Sequence, residues 1–298
     1  MISESQVQDK DKRSGSMIFE THAHYEDEQF DSDRDELLAF MPQQGISPVV
    51  NVGSTIETTK KSILLAESYD FIYAAVGVHP SEIDCLNEEN LEWLRARTEH
   101  PKVAAVGEIG LDYYWDKEEE VRQRQRYWFM RQIELAADTG LPVIIHSRDA
   151  AADTFEIMKK AHDMHVSGVI HCFSYSAEMA RQYVDLGYYI GVGGVVTFKN
   201  AKKLREVVET IPLSSILLET DCPYMAPEPY RGKRNQSMYL SYVAEKIAQI
   251  KGVAVEKVIE AASENAYRLY RIRENQPMGK AGTAVGYGRE IESVSQAD

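Results

Sequence analysis

Val103-Ala-Ala-Val-Gly-Glu108-Ile109 and Pro142-Val-Ile-Ile-His146 are near-continuous apolar runs, each carrying one ionisable side chain at or near its C-terminal end. A strand with one wet face alternates apolar and polar residues, whereas a strand covered on both faces reads as these two do, which is the pattern of parallel sheets. Comparable runs occupy residues 17–22, 47–53, 72–78, 168–171, 188–192 and 216–219, eight in all. Helical spacing fills residues 35–44, 58–69, 118–138, 149–162, 177–186 and 202–211, and closes the chain with 237–251 and 255–270. Gly45, Gly140 and Gly187 stand where helices stop. Strand and helix alternating eight times over residues 17–272 predicts an α/β fold, a single-domain (β/α)8 TIM barrel. An open doubly wound sheet would place a glycine-rich phosphate loop after its first strand. The first run here ends instead in His22-Ala-His24.

The length of 298 residues would hold two average domains, but such barrels fill about 250 residues as one. Flanking this core, residues 1–16 and 273–298 are polar or small and lack any sustained period, so both are expected to be disordered extensions. No apolar run approaches the roughly 20 residues of a membrane helix, and the polar N-terminus lacks the apolar core of a secretory signal. Three cysteines without metal-type spacing read as reduced thiols, with Cys172 and Cys222 packing out of phase with their neighbours. A cytoplasmic protein with no membrane association and no obligate protein partner is expected. The net charge of −14 argues against a protein that coats nucleic acid non-specifically, so any phosphate contact must be local.

The chemistry lies at the tips of the runs. His22 and His24, two residues apart in an extended strand, point the same way and can grip one ion. Glu108 sits inside an apolar strand, where a carboxylate is costly unless paired with an arginine or bound to a cation. Its two oxygens make it the candidate for a ligand shared between two ions. His146 and His171 end two successive runs and read together as the imidazoles of a second ion. Asp221 follows the last run as a ligand or proton acceptor, although an aspartate two residues before Pro223 also suits a turn. Four imidazoles and two carboxylates suit Zn or Mn, whereas Mg prefers more oxygen. Two such ions about 3.5 to 4 Å apart activate water and stabilise a leaving oxygen, so hydrolysis is the expected reaction. No Ser-His-Asp set or Walker loop competes.

The strings ETHAHY (20–25), GVHP (77–80), GEIGLDYY (107–114), HSRDA (146–150), HCFS (171–174), ETDCPY (219–224) and RGKRN (231–235) occur in that order. They resemble the successive signatures of the TatD family of metal-dependent deoxyribonucleases, within the amidohydrolase-type barrels. The resemblance implies that His22, His24, Glu108 and Asp221 hold one ion and Glu108, His146 and His171 the other. It implies two divalent ions per subunit (Zn, Mn or Mg), and hydrolysis of DNA phosphodiester bonds from 3′ ends, single-stranded DNA included. The same donors would equally activate water against a small ester, lactone or amide. A metal-dependent binding protein without turnover would need a broken donor set, and this one is complete.

Glu20 replaces the aspartate with which the family opens, and by alternation it shares a face with the two histidines, as a partner that would orient one of them. No proline follows Asn235, which is expected to cap the next helix instead. Positive charge near the mouth comes from Arg148, beside His146, and from Arg231, Lys233 and Arg234, which read as phosphate ligands or as a solvated basic loop. His79 ends the third run and is expected to touch substrate or order water. His162 and His165 read as surface residues.

Overall fold

A computed structural model describes residues 17–273. The expected N-terminal extension at 1–16 and, Arg273 apart, the expected C-terminal tail lie outside the described residues. Eight strands lie in sequence order in one sheet, all parallel: β1 Ile18–Ala23, β2 Ile46–Val52, β3 Ile72–Val76, β4 Val103–Asp112, β5 Val143–Arg148, β6 Gly168–Ile170, β7 Tyr189–Val192 and β8 Ile216–Leu218. The sheet closes on itself through a parallel bridge between Ala23 and Cys222. Asp221 N–H donates to His22 O at 2.9 Å, and His24 N–H to Cys222 O at 2.9 Å. The fold is therefore the single (β/α)8 barrel that the sequence predicts.

Each strand is covered outside by helices: α1 Arg34–Phe40, α2 Ile56–Ser68, α3 Glu88–Arg97, α4 Glu119–Thr139, α5 Ala151–Asp163, α6 Ala177–Asp185, α7 Lys202–Thr210, α8 Leu240–Lys251 and α9 Val255–Tyr270. All ten residues of β4 are buried, as its unbroken apolar run requires. The expected helix stops hold, with Gly45, Gly140 and Gly187 in the left-handed region. Helix α9 packs on β1 and β8, the two strands that close the sheet. There Phe19 stacks on Tyr270 and meets Tyr267 edge to face.

Two details depart from the expected elements and bear on the site. Strand β4 does not stop at Ile109 but pairs with β5 as far as Asp112 opposite Arg148. Gly110 permits this, because at φ +149° a Cβ there would stand 1.9 Å from His146 O. Helix α8 begins at Leu240 after a short 3-10 turn, and Asn235 does not cap it. Its buried side chain donates to Thr220 O at 2.9 Å and Tyr224 O at 2.7 Å, tying down the loop that carries Asp221.

Candidate metal centre

The strand tips meet. His22, within β1, and His24, just past it, bring their Nε2 atoms to 3.0 Å from each other. Glu108 Oε2 lies 3.5 Å from His22 Nε2 and 4.0 Å from His24 Nε2. Asp221 Oδ1 stands 3.3 Å from His24 Nε2 and 3.8 Å from His22 Nε2. The other oxygen of Glu108, Oε1, faces a different pair, 2.9 Å from His146 Nδ1 and 3.9 Å from His171 Nε2. Asp221 Oδ2 completes the ring at 3.8 Å from His171 Nε2. All six side chains singled out in the sequence thus converge, with the two oxygens of Glu108 turned to separate histidine pairs.

Outer contacts fix which nitrogen of three of the four rings faces inward. His24 Nδ1 lies 2.9 Å from the Val52 carbonyl, which can only accept, so Nδ1 carries the proton and Nε2 the inward lone pair. His146 Nε2 lies 3.0 Å from Asp112 Oδ2, leaving Nδ1 for the interior. His171 Nδ1 lies 3.1 Å from Glu219 Oε2, and a Glu219 oxygen also accepts from Cys172 N–H at 2.6 Å. Room for Glu219 comes from Gly191, whose missing Cβ would sit 2.3 Å from Oε2. Inward lone pairs crowded around the buried Glu108 and the partly buried Asp221 are a donor set that fits divalent cations, and oriented imidazoles of this kind are the usual companions of such ions.

Without a cation, protons take that place. Burial opposes charge on every one of these rings, but Asp112 and Glu108 outweigh it at His146, and Glu219 and Asp221 at His171, so that both are pushed up to about 9. His24 rises well above its ordinary value because Asp221 and Glu26 overcome its burial. His22 moves the other way, lowered by burial and by the stacked His171 ring 3.5 Å off. Burial works against the Glu108 charge, yet His146 and His22 hold its carboxyl well below the usual range.

His79 lies at the rim, its Nε2 3.9 Å from Glu108 Oε1. Its Nδ1 accepts from Ser81 N–H, and burial together with His146 lowers it to about 4, so it is a neutral donor. Glu20 touches neither imidazole. Its carboxylate accepts from the backbone N–H groups of His22 and Thr220 and from Thr220 Oγ1, joining β1 to the turn after β8, and burial pushes it up to about 7. Cys222 is buried beside the closing bridge, while Cys172 lines the mouth; His162 and His165 are exposed.

The centre opens into a cavity of about 800 Å³ lined by His24, His79, Glu108, His146, His171 and Asp221, and further out by Arg148, Lys203 and Tyr224. Backbone strain gathers around it, with Asp149, Cys172, Asp221 and Met225 all at φ between 45° and 56°. Arg148 is exposed, and among the described residues it forms no ion pair. Lys203, on α7, was not singled out in the sequence, where it is one lysine in a helical run. Arg234 is engaged elsewhere, in a two-pronged pair with Asp33 at 2.8 and 2.6 Å. Arg231 and Lys233 lie over the rings of Phe198 and Tyr230 and do not line the cavity.

Known proteins resemble this chain in sequence and fold. Residues 19–271 match the family model described as "TatD related DNase". The "uncharacterized metal-dependent hydrolase YabD" of Bacillus subtilis is 45% identical over 256 residues, covering 86% of this chain and 100% of that one. The "3'-5' ssDNA/RNA exonuclease TatD" of Cronobacter sakazakii is 32% identical over 259 residues, covering 85% and 97%. Among solved structures, that of YJJV, a TatD homologue from Escherichia coli, superposes with a TM-score of 0.80 at 32% identity, covering 86% and 98%.

Proposed function

The chain belongs to the TatD family of metal-dependent hydrolases, and within it we propose a deoxyribonuclease of the 3′–5′ exonuclease type working on single-stranded 3′ ends with two divalent ions (Zn, Mn or Mg). The observation that carries the reading is the division of Glu108, with Oε2 turned to His22 and His24 and Oε1 to His146 and His171. In it, His22, His24, Glu108 and Asp221 hold one ion, and Glu108, His146 and His171 the other. A relative 32% identical over nearly its whole length is named for 3′–5′ exonuclease action on single-stranded DNA and RNA.

Bound cations would lower the pKa of water and neutralise phosphate oxygens. The chain's own residues do the rest. Asp221, ionised at neutral pH because His171, His24 and His22 outweigh its burial, is placed to accept the proton of the attacking water. Arg148 and Lys203, which both line the cavity, hold non-bridging phosphate oxygens of the strand on an otherwise acidic protein. His79 donates Nε2–H into the same space. Asp112 and Glu219 keep His146 and His171 from rotating.

Activity should follow metal restoration after chelation, with mononucleotides released from a 3′-terminally labelled single strand. His171→Ala should abolish that release and lower the bound metal from two equivalents per chain toward one. Release at the wild-type rate by His171→Ala would refute the assignment, and rapid hydrolysis of lactones or small esters with DNA untouched would replace the substrate.

A further inference from the structure

Strand β4 runs on past the metal centre into a turn that exposes two large aromatic residues side by side. Tyr114 is 45% and Trp115 66% exposed, an unfavourable use of apolar surface unless something covers it. The turn is braced from three directions. Both backbone N–H groups donate to Asp112 Oδ1, at 3.0 and 3.1 Å. Tyr113 N–H donates to Arg148 O at 2.9 Å. Arg122 of α4 donates to the carbonyls of Tyr113 and Asp116.

The rings have a definite order. The Arg148 guanidinium lies 4.0 Å from the Tyr114 centroid and covers that ring. Tyr114 meets Trp115 edge to face at 4.7 Å, with the planes at 85°. One Tyr114 face is therefore taken, and the same guanidinium stands farther off, 5.6 Å from the Trp115 centroid, so that the indole keeps most of its area open. The same Asp112 whose Oδ1 holds the turn has Oδ2 3.0 Å from His146 Nε2. One carboxylate thus fixes the aromatic turn relative to the ring that faces Glu108.

We propose that Trp115, backed by Tyr114 and Arg148, is a stacking platform for an unpaired nucleobase next to the scissile phosphodiester. This rests on the nuclease reading above and deepens it. A single strand presents an anionic phosphate and a flat π-face in each repeat, and Arg148, which lines the cavity and has no ion-pair partner among the described residues, stands 5.6 Å from the centroid of the largely exposed Trp115 indole. Stacking of this kind tolerates any base and needs the base unpaired, which accounts for action on single strands without a sequence-reading element. Fixing the turn through Asp112 places the base in register with the centre before the strand arrives.

The test compares the wild type, Trp115→Ala and Trp115→Phe, each loaded with metal, on a single-stranded oligonucleotide and on one whose 3′ residues are stable abasic tetrahydrofuran units. Trp115→Ala should lower kcat/KM on the normal strand about tenfold, chiefly through KM, within the range of about 5- to 150-fold expected for one stacked base. Trp115→Phe should recover most of the loss. On the abasic strand the wild type should fall by a similar factor, and the indole and base deletions should overlap rather than multiply. Equal kcat/KM for wild type and Trp115→Ala on the normal strand would overturn the platform while leaving the nuclease reading intact. Losses that multiply would assign Trp115 a merely structural part and overturn it likewise. A wild type that hydrolyses small esters but releases nothing from either strand would overturn the nuclease reading and the platform with it.

Discussion

Replacing Gly191 by alanine tests whether Glu219 governs His171. The new Cβ would stand 2.3 Å from Glu219 Oε2, 2.7 Å from Cδ and 2.8 Å from Oε1, against an ordinary contact of 3.4–4 Å. Glu219 is buried, so the carboxylate must retreat by about 1 Å into packed surroundings, an overpacking that costs about 1–3 kcal/mol. Retreat would break its contacts to His171 Nδ1 at 3.1 Å and Cys172 N–H at 2.6 Å. Loss of such an outer partner lowers metal affinity by about 10- to 100-fold. Gly191→Ala should therefore bind its weaker metal equivalent that much less tightly, read by competition with a chelating dye, and lose a few degrees of Tm. Adding Glu219→Ala makes room for the methyl group, so the double variant should regain part of the Tm without regaining metal affinity. A Gly191→Ala protein with lowered Tm but wild-type metal affinity would refute the idea that Glu219 acts on the centre through His171.

Two further outcomes follow from the site's electrostatics. With His146 and His171 pushed up to about 9 and His24 raised well above its ordinary value, three rings hold a proton at pH 7.5 in the ion-free protein, and ligation must displace it. Titration calorimetry in buffers of different ionisation enthalpy should register about three protons released as metal binds, and none would contradict the assignment. Raised pKa values contribute stability that is complete below the unfolded value of about 6.5 and lost as pH rises through the folded value. The Tm of the ion-free protein should thus fall between pH 6.5 and about 9, with a shallower fall once metal is bound. Among the arginines, Arg148→Ala should raise KM for oligonucleotide about tenfold with little change in Tm. Arg234→Ala should instead lower stability by about 1 kcal/mol through loss of its pair with Asp33, leaving KM alone; a KM change there would return Arg234 to the substrate.

Strand positions and the convergence of six side chains were legible because burial on both faces writes itself into unbroken apolar runs such as that of β4. Helix α3 was not, since only Leu91 and Leu94 of its residues are buried and so thin a stripe barely rises above a polar segment. The outer partners Asp112 and Glu219 were hidden for a different reason. Each is a carboxylate beside a more conspicuous neighbour, and only the register of adjacent strands shows which imidazole it meets. Gly191 carried a faint signal, a glycine next to the last residue of its strand, which marks close approach without saying of what. Arg234 pairs with Asp33 and Lys203 lines the cavity, a difference the sequence hides because proximity to Asp221 places a side chain near the mouth but does not aim it.

The closure of the sheet has a mechanical consequence. The backbone bonds that bring β1 and the segment after β8 together, His22 O with Asp221 N–H and His24 N–H with Cys222 O, involve His22, His24 and Asp221, three of the four residues that the proposed function assigns to one ion. In the proposed two-ion site, an ion held there would act as a clasp across the seam of the cylinder. Binding only while the seam is shut, it would resist parting of the ends in proportion to the logarithm of its concentration over its dissociation constant. Chelation would then do more than silence chemistry: it would unlatch the cylinder at the place where its two ends meet.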